Sequence, residues 1–466
     1  MLRRELLLPV RLSQEDEMKG DFSRDTFDPR KNFSSVLLQQ GRVQLDSDWN
    51  EQSAILLHYM RTLATDIIGR HGGPDDGFMI GLLKEGPNNS LSDLTVAAGR
   101  YYVDGILCEN RGNTNAKPFS YLDQPYYRPN KKVKFPPISL PFLAYLDVWE
   151  RHVTGFEDPD LYEPALGGID TASRTQVVWQ VRVMKGARTL SARDDAEALI
   201  ATIGKSNALL SARSEEAPAG GDPCNIDPDA RYRGAENQLY RVEVHTGSVD
   251  EDGNALTPTF KWSRENGTVV FPVLRIVTDN TTTEVTLANL GRDEKSTLSE
   301  GDWVELIDDD RTFENRAEKL LQVISIDRDE SRVTLAGGSQ ITDEPDKHPL
   351  LRRWDQKQKP GTSPDDAVKI DYGTLDNEWL TLEDGIQIRF TQNPGNEPAF
   401  YRTGDYWLIP ARVATGNVLW PTGPDGKPAA VEPRGIRHHY APLAIIKNTG
   451  APIDCRLKFK PISEPV

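Results

Sequence analysis

The sequence predicts a mainly β protein with an α-helical N-terminal arm: multi-domain antiparallel β sandwiches and sheets, with an inserted small β-barrel. Three observations predict this class. Thirty-six glycines and 32 prolines are spread through 466 residues, so chain reversals recur along the whole length. Apolar residues fall mostly in short runs of about four to eight, bounded by turn formers, which is strand texture. Between Thr282 and Gly337 four such runs follow one another at the regular spacing of a small barrel. The chain has room for several domains at roughly 100–200 residues each.

The divisions read from the sequence are an arm and docking helix over 1–75, and a β-rich domain over 76–281 with a helical insertion at 187–217. A small β-barrel over 282–345 follows, then a second β-rich segment over 346–447 that completes the main domain, and a surface tail over 448–466. In the arm, Phe22, Phe27, Phe33, Val36 and Leu37 are set singly among charges and turn formers, too sparse for a core of their own. A segment of this kind needs another surface to bury them. Asp48 as N-cap with Glu51 three residues on fits a capping box, and Gly69 ends the helix. Trp49, Leu56, Met60, Leu63 and Ile67 recur at helical spacing, widened by Ile55 and Tyr59. That stripe either packs on its own domain or bundles with copies of itself or a neighbouring subunit.

Further along, Gly72–Gly77 reads as a break, and residues 94–108 as two short strands around the hairpin signal Asp104-Gly105. Residues 142–149 are apolar almost without interruption, as in a strand covered on both faces, and 175–184 form another strand. Residues 187–217 read as a helix that ends in an Ala/Pro/Gly run at 217–221. Strands at 238–246, 257–262 and 268–277 favour antiparallel pairing of neighbours, the first two around a turn at 251–254. After the barrel strands at 284–288, 303–307, 320–326 and 332–335 comes a polar loop over 349–360. Strands at 379–382, 386–390, 405–409 and 440–446 complete the pattern.

The N-terminal order Phe27-x-Pro29-x-Lys31-x-Phe33-x-x-Val36-Leu37, Gln40-Gly41-Arg42-Val43-Gln44 and Trp49-Asn50-Glu51-Gln52 resembles the opening of proteins among phage-tail and contractile injection system components. The runs at 145–153, 232–241, 260–267 and 404–412 are similar to a full-length family associated with such gene clusters. The resemblance covers most of residues 18–447 and implies a baseplate-associated structural subunit. Its partners would be other baseplate or tail subunits and further copies of itself, in a homo-oligomeric, symmetric assembly. It carries no catalytic motif. Phe27, Phe33, Gly41, Arg42, Trp49, Asn50 and Glu51 are the expected docking residues, Arg42 pairing acidic or carbonyl groups and the aromatics burying area.

Composition narrows the alternatives. A formal charge of −16 opposes nucleic acid and anionic membrane surfaces, and the short basic run at 128–134 reads as a solvated loop. Cys108, Cys224 and Cys455 share no metal-ligand spacing, which suits synthesis and assembly in a reducing cytoplasm within a larger particle, released or membrane-anchored. The run Leu6–Val10 is shorter than the roughly 7–15 apolar residues of a signal peptide, and no direct membrane insertion is expected.

No cofactor or metal is called for. Gly204-Lys205-Ser206 lacks the first glycine of a P-loop, and His438-His439 on an extended chain point to opposite faces. Asp308–Asp310 has Phe313 where a calcium loop needs glycine. Glu150, Glu163 and Glu265 are the acids that glycoside chemistry would use, without a spacing that selects them. Trp149, Trp179, Trp262, Trp303 and Trp407 lie in strand patterns and read as core. The expectation is a non-enzymatic structural subunit. A carbohydrate- or receptor-binding module at the fibre end of such a machine is the alternative, and a polysaccharide-acting enzyme comes third.

Overall fold

The computed structural model describes residues 19, 26–85, 90–112, 117–126, 140–185, 190–203, 206–215, 231–250, 254–291, 293, 295–357, 363, 365–370, 379–391 and 399–460. Phe22, the basic run at 128–134, the linker at 217–221, Cys224, Gly204-Lys205 and most of the turn at 251–254 lie outside them, as do the run Leu6–Val10 and residues 358–360 of the polar loop. The chain forms two compact units. Unit 1 comprises residues 1–155, 160–203 and 436–466, and unit 2 comprises residues 156–159 and 204–435.

In chain order, unit 1 begins with α1 (Asp46–Ile68). It continues with β1 (His71–Pro74), β2 (Ile80–Glu85), β3 (Ser90–Val96), β4 (Gly99–Val103), β5 (Ile106–Asn110), β6 (Phe119–Ser120) and β7 (Phe142–Val153). The short pair β8 (Tyr162–Glu163) and β9 (Ile169–Asp170), then β10 (Arg174–Lys185) and α2 (Arg193–Ile200), complete this passage. Unit 2 holds β11 (Leu209–Ser214), β12 (Gln238–Val244), β13 (Thr259–Ser263), β14 (Val270–Thr278), β15 (Thr282–Leu287), β16 (Trp303–Ile307) and α3 (Asp309–Glu314). It continues with β17 (Leu321–Asp327), β18 (Arg332–Ala336), β19 (Leu350–Trp354), β20 (Val368–Lys369), β21 (Leu380–Thr381), β22 (Ile386–Thr391), β23 (Tyr406–Arg412) and β24 (Asn417–Val418). The chain then returns to unit 1 with β25 (His439–Ile446), β26 (Ile453–Asp454) and β27 (Lys458–Phe459).

In unit 1, β7 is buried from Phe142 to Trp149, as its unbroken apolarity predicts, and it lies between β10 and β25 in a sheet ordered β10-β7-β25-β26. A second sheet runs β27-β1-β4-β5, with β1 and β27 parallel. The β4–β5 hairpin turns at Asp104-Gly105, both with positive φ, which is the geometry the Asp-Gly pair favours. A third sheet, β2-β3-β6, completes a core that includes Phe78, Leu94, Tyr101, Leu146, Trp179 and Leu443.

Several boundaries differ from the sequence reading. Gly72–Pro74 is part of a strand rather than a break, because β4 and β27 supply hydrogen-bonding neighbours on both sides. The tail is not superficial: β26 and β27 join sheets, and Cys455 and Arg456 are buried. The helical insertion is only the eight residues of α2, after which β11 pairs with β22 from Leu209↔Thr391 to Ser214↔Ile386. That partner lies far along the chain and overrides local helix propensity.

Unit 2 contains the five-stranded sheet β20-β13-β12-β23-β24, the sheet β11-β22-β21 and a closed barrel ordered β14-β15-β18-β17-β16-β19. The four predicted barrel strands are all present, and closure recruits one strand on each side of the predicted span. The sequence has β14 continuing the sheet and β19 within a polar loop, yet they pair with each other through Phe271↔Leu351. Alternate residues such as Val285, Leu287, Val304, Leu306, Val333 and Leu335 fill the barrel. The five strand tryptophans, 149, 179, 262, 303 and 407, are buried as expected.

Candidate docking interface

The arm begins with Thr26 and Phe27 against α1. Thr26 Oγ1 donates to the Glu51 carboxylate, and the Phe27 ring lies 5.7 Å from that of His58. Asp28 caps the short turn Pro29–Lys31, accepting from the backbone N–H and side chain of Arg30. That guanidinium holds the Asp28 carboxyl down at about 2. Asn32, in the left-handed region at φ 56°, ends the turn. The strand-like stretch that follows is tied to the helix where the backbone N–H of Val36 donates to Gln52 Oε1 at 2.9 Å. At Gly41, φ is +73°, and the chain reverses there with Arg42 N–H donating to Gln39 C=O.

The helix starts earlier than the sequence suggested. Asp48 is the third residue of α1 rather than its N-cap; its carboxylate accepts from the backbone N–H of Leu45 at 3.1 Å. Leu45 holds the N-cap position and has no side-chain acceptor, so only half of a capping box forms. Glu51 is spent on Thr26 instead. At the other end Gly69 does terminate the helix, with its N–H on Thr65 C=O at 2.8 Å.

One face of α1 is seated on β1 and β4. Ser47 and Ile55 are buried on it, Arg61 reaches Glu150 at 2.7 Å, and a Cβ at Gly105 would stand 2.3 Å from Arg61 C=O. Burying Ile55 contributes about 2 kcal/mol. The predicted apolar stripe lies elsewhere. Of its members only Ile55 is buried, while Trp49, Leu56, Tyr59, Met60, Leu63 and Ile67 are 47–72% exposed. The expectation that this stripe packs on its own domain fails for a geometric reason: Ile55 lies on the side of the helix that carries the buried Ser47, away from the rest of the stripe.

Among the expected docking residues, Phe27, Asn50 and Glu51 are partly buried, with Phe27 and Glu51 held in the arm–helix contact. Phe33, Gly41, Arg42 and Trp49 are exposed. Lys31 lies over the Phe33 ring at 5.9 Å, and Leu37, Leu38 and Val43, 63–84% exposed, extend the apolar surface beyond the residues expected.

The residues weighed for chemistry are occupied structurally. His438 Nδ1 lies 2.6 Å from Asp147, and His439 Nδ1 lies 2.8 Å from Asp104, so the two histidines do diverge. Asp308 caps α3, Asp309 meets His348 and Asp310 meets Lys347. Among the described residues no group of three or more His, Cys, Asp or Glu is placed to hold a metal. Glu150 pairs with Arg61, and Glu163 caps its own turn at Ala165 N–H. Glu265 belongs to the other unit, where burial pushes its carboxyl up.

Sequence reasoning missed a buried ionic network in unit 2. On β12 and β13, Arg241 binds Glu243 and lies over the Tyr406 ring at 3.4 Å. Lys261 donates to Glu305 at 2.6 Å, lies 3.5 Å from Glu243 and sits 4.5 Å from the centre of the Trp354 ring, whose Nε1 also donates to Glu305. Beside them His245 is fully buried and pushed down to about 4, chiefly by burial and then by Lys261, while burial pushes Asp405 up to about 7. The alternation Tyr240, Val242, Val244 against Arg241, Glu243, His245 is the pattern of a half-solvated strand, and nothing local signals that both faces are covered.

Fold and site together define a class: a multi-sheet β protein carrying, on a helix seated by one face, an exposed apolar stripe on another. Among the described residues no helix is long and apolar enough to cross a membrane. Residues 18–205 and 191–465 match the family of unknown function DUF6519, and the chain belongs to that family. No curated protein and no solved structure matches it.

Proposed function

We propose that this protein is a non-enzymatic structural subunit of a larger protein assembly, docked through its N-terminal arm and α1. The observation that carries the reading is the exposure of Trp49, Leu56, Met60, Leu63 and Ile67 on a helix whose opposite face is already fixed. Apolar side chains in so continuous a row mark an interaction surface. The N-terminal motifs that resemble contractile, phage-tail-like injection systems coincide with this surface, which supports a place at or around a baseplate. The role is then mechanical: the arm and helix hold neighbours in register. The alternative of a glycan-binding face loses support because the strand tryptophans that would form it are buried in cores.

The test uses the full chain, tagged and expressed in its own cells. Wild type should sediment with particles of phage-tail size, and Leu56→Asp/Leu63→Asp should not while remaining folded. A wild-type chain that sediments only as a free monomer overturns the reading.

A further inference from the structure

We infer that the partner of the exposed face of α1 is α1 of a second copy of this chain. This rests on the assembly reading above and names the neighbour. Trp49, Ser53, Leu56, Met60, Leu63 and Ile67 follow one another at intervals of 4, 3, 4, 3 and 4 residues. That alternation of fours and threes is the spacing of the a and d positions in a heptad seam. Buried Ser47 and Ile55 and the Glu150-paired Arg61 lie on a different side of the helix, so the seam is not a by-product of intramolecular packing.

Further observations favour a like partner. Positions flanking a seam select the partner by charge, and here Asn50, Gln52, Leu57, Tyr59 and Ala64 are neutral, leaving Asp66 as the one charge. Identical helices therefore meet with little repulsion, even though the whole chain carries −16. The only lysine or arginine in the helix, Arg61, is held at 2.7 Å by Glu150, and the seam positions themselves carry no cation to attract an acidic partner. Trp49, Leu56, Leu57, Tyr59, Met60, Leu63 and Ile67 together expose on the order of 800 Å², about what one partner contributes to a standard interface. Ser53 bonds back to the Trp49 carbonyl at 3.1 Å, so its hydroxyl enters the seam already satisfied.

Met60 lies near the middle of the seam, where two copies bring it close to itself whether the helices run parallel or antiparallel. The test is disulfide cross-linking of the purified full chain carrying Met60→Cys in a Cys224→Ser background; Cys108 and Cys455 are buried. Mild oxidation should give a chain–chain product that Leu56→Asp/Leu63→Asp removes. In a second arm, Met60→Glu and Met60→Lys should each be monomeric alone and should associate when mixed. A cross-linked product with recovery on mixing supports the seam. No product, with wild type still sedimenting with particles, overturns the inference in favour of a different subunit and leaves the assembly reading standing. A monomeric chain whose introduced thiol is shielded from maleimide also overturns it, since the chain's own residues would then cover the seam.

Discussion

Helix α1 and the strand pair β12–β13 invert one another. On α1 the apolar residues Trp49, Leu56, Met60, Leu63 and Ile67 are exposed, whereas on β12 and β13 the charged residues Arg241, Glu243 and Lys261 are 2–3% exposed. In the strands each charge has its complement within the same unit, through Glu305, Trp354 and Tyr406. Buried charges persist only under such mutual satisfaction. In the helix the corresponding complement is missing from the described residues. The difference teaches that a periodic pattern fixes which side chains share a face and is silent about what covers that face.

The comparison is broken most severely by removing one member of the buried network. Lys261→Met leaves Glu305 and Glu243 without their shared cation and should cost about 3–5 kcal/mol in urea unfolding at pH 7. A loss below about 1 kcal/mol would mean that the network is not the bond between these strands and the barrel.

Two single groups sharpen it through pH. Asp405 has a folded-state pKa of about 7 against 3.8, so the folded state keeps a proton that the unfolded chain sheds, and stability falls as pH rises from about 4 to about 7. His245 has a folded-state pKa of about 4 against 6.5, so the unfolded chain takes up a proton first, and stability falls as pH drops from about 6.5 to about 4. The two slopes oppose each other over the shared window. Asp405→Asn should therefore unmask acid destabilisation, and His245→Gln should unmask stabilisation on acidification, each on the order of 3 kcal/mol across the window. Parallel pH profiles for wild type and both variants would refute the assignment.

On the helix the expected effects are smaller. Ile55→Ala should loosen the seat of α1 by about 2–4 kcal/mol, read as faster amide exchange across α1 without a matching change in unit 2. Met60→Ser, on the opposite face, should change unfolding by less than about 0.5 kcal/mol while weakening association. Equal effects of these two substitutions on stability would show that both faces are packed within one chain.

The β class, the buried strand at 142–149, the Asp104-Gly105 hairpin and the four central barrel strands were legible because each is a local pattern of apolar runs and turn residues. Barrel closure by β14 and β19 was not, since it depends on pairing across some 80 positions. Helix α1 was legible as an amphipathic stretch down to its Gly69 stop, but its start was placed at Asp48 because a side chain reaching back to Leu45 leaves the same acidic signature as a cap. The buried network was illegible for the converse reason: Arg241, Glu243 and Lys261 are the residues a solvent-facing strand would carry.

The parallel pairing of β1 with β27 has a consequence for the timing of synthesis. β1 directly follows α1, and the helix is seated on β1 and β4. The other edge of β1 is completed by Lys458 and Phe459; Lys458 is bonded to Asp76, 382 positions earlier. A ribosome must deliver nearly the whole described chain before that sheet closes. Until then the sheet on which the helix sits lacks one of its four strands, so the finished seat of α1 is made only as synthesis ends.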